Sequence, residues 1–256
     1  MEVLVCVKRV PMVGGRIVLR EDRCHIDTTL LGFTVSPHEE CAVEEAVRLT
    51  ERLGGSVTVL TLGPPEAAEQ LRSAVSVGAH HAVLLETERD DFGPVATARA
   101  VTRAVERLEA ERGTPFDLLL LGNEAADTGD YQVGIRVAHA LGRPVATGIK
   151  HLWIDGGAAR ARRTYRGTEE LFSLPLPAVV TVKEGINLPR YPSLPGRMRA
   201  KKAAIATSVP EFEPEGLAMQ TLRVPVVERK SAEVLGHGAA AVPALVEVLV
   251  SLGIVE

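Results

Sequence analysis

The residues best suited to chemistry lie in one stretch, Gly122-Asn123-Glu124-Ala125-Ala126-Asp127-Thr128-Gly129-Asp130-Tyr131-Gln132-Val133. That chemistry would be binding. A small, polar bend lined by glycine lets backbone N–H groups approach a ligand with no Cβ in the way. Beyond it, Val133, Val137 and Leu141 stand four apart, the spacing of a helix with Asp130 near its start. The unpaired N–H groups of a helix start, at the positive end of its dipole, attract a phosphate. Before the bend, the apolar run Phe116-Asp117-Leu118-Leu119-Leu120-Leu121 suits a strand buried in a parallel sheet. An ordinary strand–loop–helix connection has the same outline, so the rest of the chain must decide.

Other chemistry is hard to find. The chain has no Gly-x-x-x-x-Gly-Lys-Ser/Thr loop, no Gly-x-Gly-x-x-Gly after its first strand and no nucleophile elbow. Its three cysteines, Cys6, Cys24 and Cys41, are widely spaced and read as reduced thiols. The seven histidines show no metal-ligand spacing. His38 alone falls near the expected ligand rim, where a packing or ligand-contact role is the commoner one for a single histidine. A nucleotide-shaped site without a catalytic constellation favours a carrier over an enzyme acting alone.

Elements of a definite kind must position such a site. Val3 to Val7 read as a buried strand, and Met12 to Thr29 as an irregular or hairpin excursion turning at Gly14-Gly15. Ser36-Pro37 opens a helix through Leu53, with Glu44, Glu45 and Arg48 expected to face water. Strands follow at Val57 to Leu62 and Ala82 to Leu85, with helices through Val77 and from Gly93 to Arg112. Alternating strands and helices predict an open, doubly wound, mostly parallel α/β sheet. Its strand ends would gather Cys6 to Arg9, Ser36 to Glu39, Leu62 to Pro64 and Gly122 to Asp130. Asp155-Gly156-Gly157 marks a β-hairpin extension, and Ala178 to Val182 another buried strand. Three prolines within Pro189 to Pro195 rule out a helix or central strand, and a short basic helix through Lys202 follows. Ala239 to Leu252 reads as a last amphipathic helix. The expected division is a nucleotide-binding domain (1–186), a partner-recognition loop with a basic helix (187–207), and a C-terminal arm and helix packing on a partner subunit (208–256).

At 256 residues with a net charge of −4, the chain has no bias towards nucleic acid. Its apolar runs are too short to span a bilayer. No basic segment followed by an apolar one opens it, so a cytoplasmic location is expected.

Four segments resemble the β subunit of electron transfer flavoprotein. They are Val5 to Val10, Ser36-Pro37 through Leu49, Leu119 through Gly134, and Leu176 to Thr181 continued by Asn187 to Pro195 and Met198 to Lys202. The last is the most specific. The resemblance implies an adenine-nucleotide α-hydrolase-like fold and a heterodimer with an α subunit. That pair would share FAD, bound chiefly by α, and pass electrons from flavin dehydrogenases such as acyl-CoA dehydrogenase to an acceptor. It also implies a structural AMP held by Cys6, Ser36, Pro37, His38, Glu39, Leu62 and the stretch Gly122 to Val133. The region around Val13 and His38 would approach the flavin. Tyr191, Leu194, Pro195 and Met198 would form the loop that recognises dehydrogenases, with Leu194 as its anchor between prolines. Departures from the family pattern include His38 in place of an aromatic, Tyr165-Arg166-Gly167-Thr168 before the last strand, and Asp127-Thr128-Gly129-Asp130-Tyr131 in the loop. Two other readings stay open: an electron-bifurcating subunit with a second FAD in place of AMP, and a stand-alone adenine-nucleotide-binding protein.

Overall fold

The structure, a computed structural model, describes residues 1–12, 14, 17–214, 216, 218–225 and 232–255. The chain runs β1 (Glu2–Cys6), β2 (Val10–Pro11), β3 (Phe33–Thr34), α1 (Pro37–Leu53), β4 (Ser56–Gly63), α2 (Ala68–Val77), β5 (His81–Glu86), α3 (Pro94–Arg112), β6 (Leu118–Gly122) and α4 (Val133–Ala140). It continues with β7 (Val145–Ile149), β8 (His151–Asp155), β9 (Ala158–Tyr165), β10 (Thr168–Pro175), β11 (Ala178–Val182), α5 (Leu194–Lys202), β12 (Ile205–Ser208) and α6 (Val242–Ser251).

Seven strands form a parallel sheet in the order β12-β5-β4-β1-β6-β11-β7. From β1 the chain moves outward through β4 and β5, then returns to place β6 on the other side of β1. The topology therefore switches between β1 and β6, where an open α/β sheet leaves a crevice at its carboxyl edge. The strand runs are apolar throughout because both faces are covered. Val3, Val5 and Val7 pack with α1 and α2, while Leu4 packs with α3 and α4. The alternation is that of a pleated strand.

Beside this lies an antiparallel sheet of β8, β9 and β10, whose inward Leu152, Ala159, Ala161 and Leu174 join the same core as α1. The expected hairpin is present, and β10 adds a third strand to it. The excursion after β1 returns as the β2–β3 pair, with an antiparallel bridge between Leu19 and Ile26.

One expectation is overturned. Glu44 and Glu45 do not face water; both are buried. The segment after β11 returns along α1 and covers them. Asn187 Nδ2 donates to Glu45 Oε2 at 2.9 Å, and the Arg190 guanidinium grips Glu44 at 2.9 Å and Glu51 at 2.6 Å. Periodicity within one helix cannot reveal a chain that comes back from 140 residues later. The last helix also begins later than expected, at Val242, after a 3₁₀ turn over Gly238–Ala241.

Candidate functional site

The carboxyl edge gathers the expected residues. Cys6 ends β1, and the backbone goes on to Lys8, whose N–H donates to Glu39 Oε2 at 3.0 Å. Ser36 is the N-cap residue of α1, with Pro37 in the first turn. Ser36 and Glu39 have the spacing of a capping box, yet the Ser36 hydroxyl faces the Glu39 carboxyl without hydrogen-bond geometry. β6 ends at Gly122 directly against this turn. A Cβ there would stand 2.7 Å from Glu39 Cγ and 3.2 Å from both His38 Cβ and Glu124 O. Only glycine lets the start of α1 and the end of β6 meet this closely.

The loop beyond Gly122 is tied down at both ends. Asn123 N–H donates to Val182 O, and its Oδ1 accepts from the Thr181 hydroxyl at 2.9 Å. Lys8 Nζ reaches across from β1 to Asp127 at 2.7 Å. Gly129 and Tyr131 have left-handed φ values of 59° and 57°, and Gly129 N–H closes a turn on Ala125 O. The Tyr131 ring is exposed, with its phenol pushed up by the Glu124 carboxyl. α4 opens at Val133, three residues past Asp130, with Gln132 at its cap. The first-turn N–H groups of such a helix have no partner within it. Gly134, in that turn, packs where a Cβ would lie 2.5 Å from Thr181 Cγ2 of β11.

Two buried polar atoms, one on α1 at this crevice and one inside β4, are without partners. Among the described residues, His38 Nδ1 and Thr61 Oγ1 make no hydrogen bond. Buried hydrogen-bonding atoms of this kind call for a ligand or water. His38 Nδ1 comes no nearer to Glu124 than 3.9 Å. Burial pushes its imidazole below the ordinary histidine range, against the pull of Glu124. Burial also raises Glu39 to about 7, opposed by the Lys8 N–H bond, and raises the Cys6 thiol to about 12 with help from Glu39. A thiol held so high is a neutral packing group and not a nucleophile. Together these groups can cradle a polar ligand. They have no nucleophile–base pair, and no described cluster of three or more His, Cys, Asp or Glu could hold a metal.

The second expected set lies elsewhere. Ser193 caps α5 by accepting from Gly196 N–H at 3.2 Å, with Pro195 in the first turn. Gly196 is buried against α2, where a Cβ would stand 2.2 Å from Ser76 O. Arg199 adds a bond to Val75 O at 3.2 Å. Those are the last residues of α2, so α5 sits towards the amino edge of the sheet. Tyr191 is 95% exposed, Leu194 72%, and Leu188 and Met198 are exposed as well. Leu194 is thus free of its own core. Val13 lies outside the described residues.

The chain matches the electron transfer flavoprotein domain over residues 25–211. It is 37% identical to electron transfer flavoprotein subunit beta of Bacillus subtilis over 202 residues, covering 79% of this chain and 76% of that protein. The subunit beta of Homo sapiens is 35% identical over 214 residues, with 82% of each chain covered. That of Syntrophomonas wolfei is 34% identical over 211 residues, covering 81% and 79%. The chain belongs to the electron transfer flavoprotein β-subunit family. The matched region of this family includes both the loop after β6 and the exposed tip before α5.

Sequence reasoning missed Thr61, Asn187 and Arg190. Thr61 had a faint signal, a hydroxyl inside an otherwise apolar strand. Asn187 and Arg190 stand in the segment that carries the family resemblance, but nothing in the sequence signalled their bonds to Glu44, Glu45 and Glu51 of α1.

Proposed function

We propose that this chain is the β subunit of a heterodimeric electron transfer flavoprotein. It pairs with an α subunit and carries electrons from flavin dehydrogenases, acyl-CoA dehydrogenase among them, to a downstream acceptor. The observation that carries the reading is the family membership across residues 25–211. FAD, shared with the α subunit, supplies the electron-carrying ring. This chain's own contribution is a structural AMP at the carboxyl edge and a docking tip at the other.

The AMP assignment is supported by the donors and acceptors already in place. Backbone N–H groups from Gly122 to Val133 and the first turn of α4 would take the phosphate. His38 Nδ1 and Thr61 Oγ1, buried and unpartnered, would serve the rest of the nucleotide, with Cys6, Ser36, Pro37, Glu39 and Leu62 as its floor. Tyr191, Leu194, Pro195 and Met198 would meet the dehydrogenase. A burial of Leu194 there would be worth on the order of 2 kcal/mol. The chain would work in the cytoplasm.

Co-expression with an α subunit tests this. A yellow heterodimer releasing one FAD and one AMP on heating is the expected result. Two FAD and no AMP would mean a bifurcating complex. A colourless monomer that hydrolyses ATP would end the proposal.

A further inference from the structure

The loop after β6 is held firmly at its ends and by a single tie in its middle. Asn123 fixes its start on β11, and Gly134 packs its exit against the same strand. Among the described residues, one hydrogen-bonded contact joins residues 124–132 to an element other than α4. There Lys8 Nζ stands 2.9 Å and 2.7 Å from the two carboxylate oxygens of Asp127. His38 stays 3.9 Å from Glu124, beyond hydrogen-bond reach. Other bonds in the loop are internal: Asp127 Oδ1 accepts Thr128 N–H at 2.8 Å, and Ala125 O accepts Gly129 N–H at 3.0 Å. Lys8 is itself a fixed post. Val7 N–H extends the β1 ladder to Leu60 O at 2.9 Å, and Lys8 N–H is held by Glu39. The pair thus runs from the rigid end of β1, across the switch between β1 and β6, to the turn over residues 125–129.

We infer that Lys8 is a positioning residue of the nucleotide site, and that the Asp127 carboxylate is its anchor and not a contact to the ligand. The inference rests on the reading that N–H groups of this loop take the phosphate of an adenine nucleotide. Those groups converge on an anion only when the residues carrying them are fixed, and fixing a backbone costs conformational entropy. A tie made before binding removes that cost from the binding step. Charge gives the competing roles of the pair opposite signs. A carboxylate beside a phosphate repels it, so loss of an Asp127 that positions nothing would strengthen binding. A Lys8 that touched the phosphate directly would also be freed by that loss. Loss of an Asp127 that holds the loop weakens binding instead. Asp127 is 21% exposed and Lys8 41%, so salt screens the pair less than one in open water.

Equilibrium dialysis of AMP against the flavin-loaded heterodimer tests it. Asp127→Asn and Lys8→Met should each weaken AMP binding roughly tenfold, the lower end for bonds to charged groups. The double variant should bind no more weakly than either single one, because both changes remove the same tie. Lys8→Arg keeps a cation for the carboxylate and should restore most of the affinity. Hydrogen exchange of the full chain without nucleotide reads the tie directly. It should be faster over residues 124–132 in Asp127→Asn and Lys8→Met than in wild type, with β1 and β6 unchanged. Tighter or unchanged AMP binding by Asp127→Asn, additive losses in the double variant, or unchanged exchange in the loop would each overturn the inference. Failure of the wild-type heterodimer to bind AMP would instead overturn the adenylate reading, and this inference with it.

Discussion

At the scale of residues, the site depends on two positions, Gly122 and Glu39. A Cβ at residue 122 would meet Glu39 Cγ at 2.7 Å, and that atom is packed in place. Gly122→Ala should cost roughly 1–3 kcal/mol through overpacking and lower the AMP content of the purified heterodimer; unchanged stability and content would show that α1 can yield. Glu39 makes a different prediction, about pH. Its folded pKa of about 7 stands above the ordinary 4.5, so the folded state binds the proton more tightly than the unfolded chain. The stability this contributes is complete below pH 4.5 and is lost as pH rises through 7. By linkage it amounts to on the order of 3 kcal/mol. Urea unfolding should show wild type weakening between pH 5 and 8, with Glu39→Gln flatter across the same range. Parallel curves for the two would refute the assignment.

Among the elements, the segment from Asn187 to α5 shows how an exposed tip is made stiff. Prolines account for part of it, as the sequence suggests. The polar clamps account for more: Asn187 Nδ2 bonds Cys41 O and Glu45, and Arg190 bonds Glu44 and Glu51. Leu194→Ala should leave stability within about 0.5 kcal/mol, since the side chain is 72% exposed, and should slow electron transfer from a dehydrogenase. Arg190→Ala strands the buried Glu44 carboxylate and should cost about 2 kcal/mol, below the usual loss for a broken buried pair because the guanidinium is partly solvated. It should slow the same transfer with Leu194 still present; transfer at the wild-type rate would mean that the clamp plays no part in docking. What the sequence made legible follows the same physics. Strands buried on both faces, such as β1 and β6, announce themselves as apolar runs, and Gly156-Gly157 as a turn. β10 did not, because Glu169 and Glu170 open it and its Leu171 points to solvent; Glu170 is half-buried only through its 2.5 Å pair with Arg163. β12 did not either, being four short, half-exposed residues at a sheet edge. The loop after β6 was legible as a loop because glycines and small polar residues after a buried strand leave few other structures open to the chain.

At the scale of the molecule, α1 separates the two candidate sites proposed above. It runs from Ser36 at the carboxyl edge, and the return segment follows it past Glu51 towards the tip at the opposite edge. Changes at Leu194 should therefore leave nucleotide content alone. The chain beyond β12 divides in two. Its first part docks on its own chain: Glu211 and Glu213 pair with Arg103, Phe212 packs edge-on against Phe92 under the Arg89 guanidinium, and Leu222 N–H reaches Arg23 O. The last part does not. α6 buries none of its residues, although Val242, Leu245, Val246, Val248 and Val250 are all apolar and Glu247 is its one charge. A helix apolar on nearly every side gains little in water and much inside a partner. Truncation after Pro225 should leave the melting temperature of the isolated chain unchanged, because none of the described residues it removes is buried. In size-exclusion runs of the co-expressed subunits it should convert the heterodimer largely to separate chains. A truncated chain that still runs as a full heterodimer would show that the α subunit is gripped by another face, and the exposed outer side of the β8–β10 sheet, with Trp153 and Leu171, would be the next surface to alter.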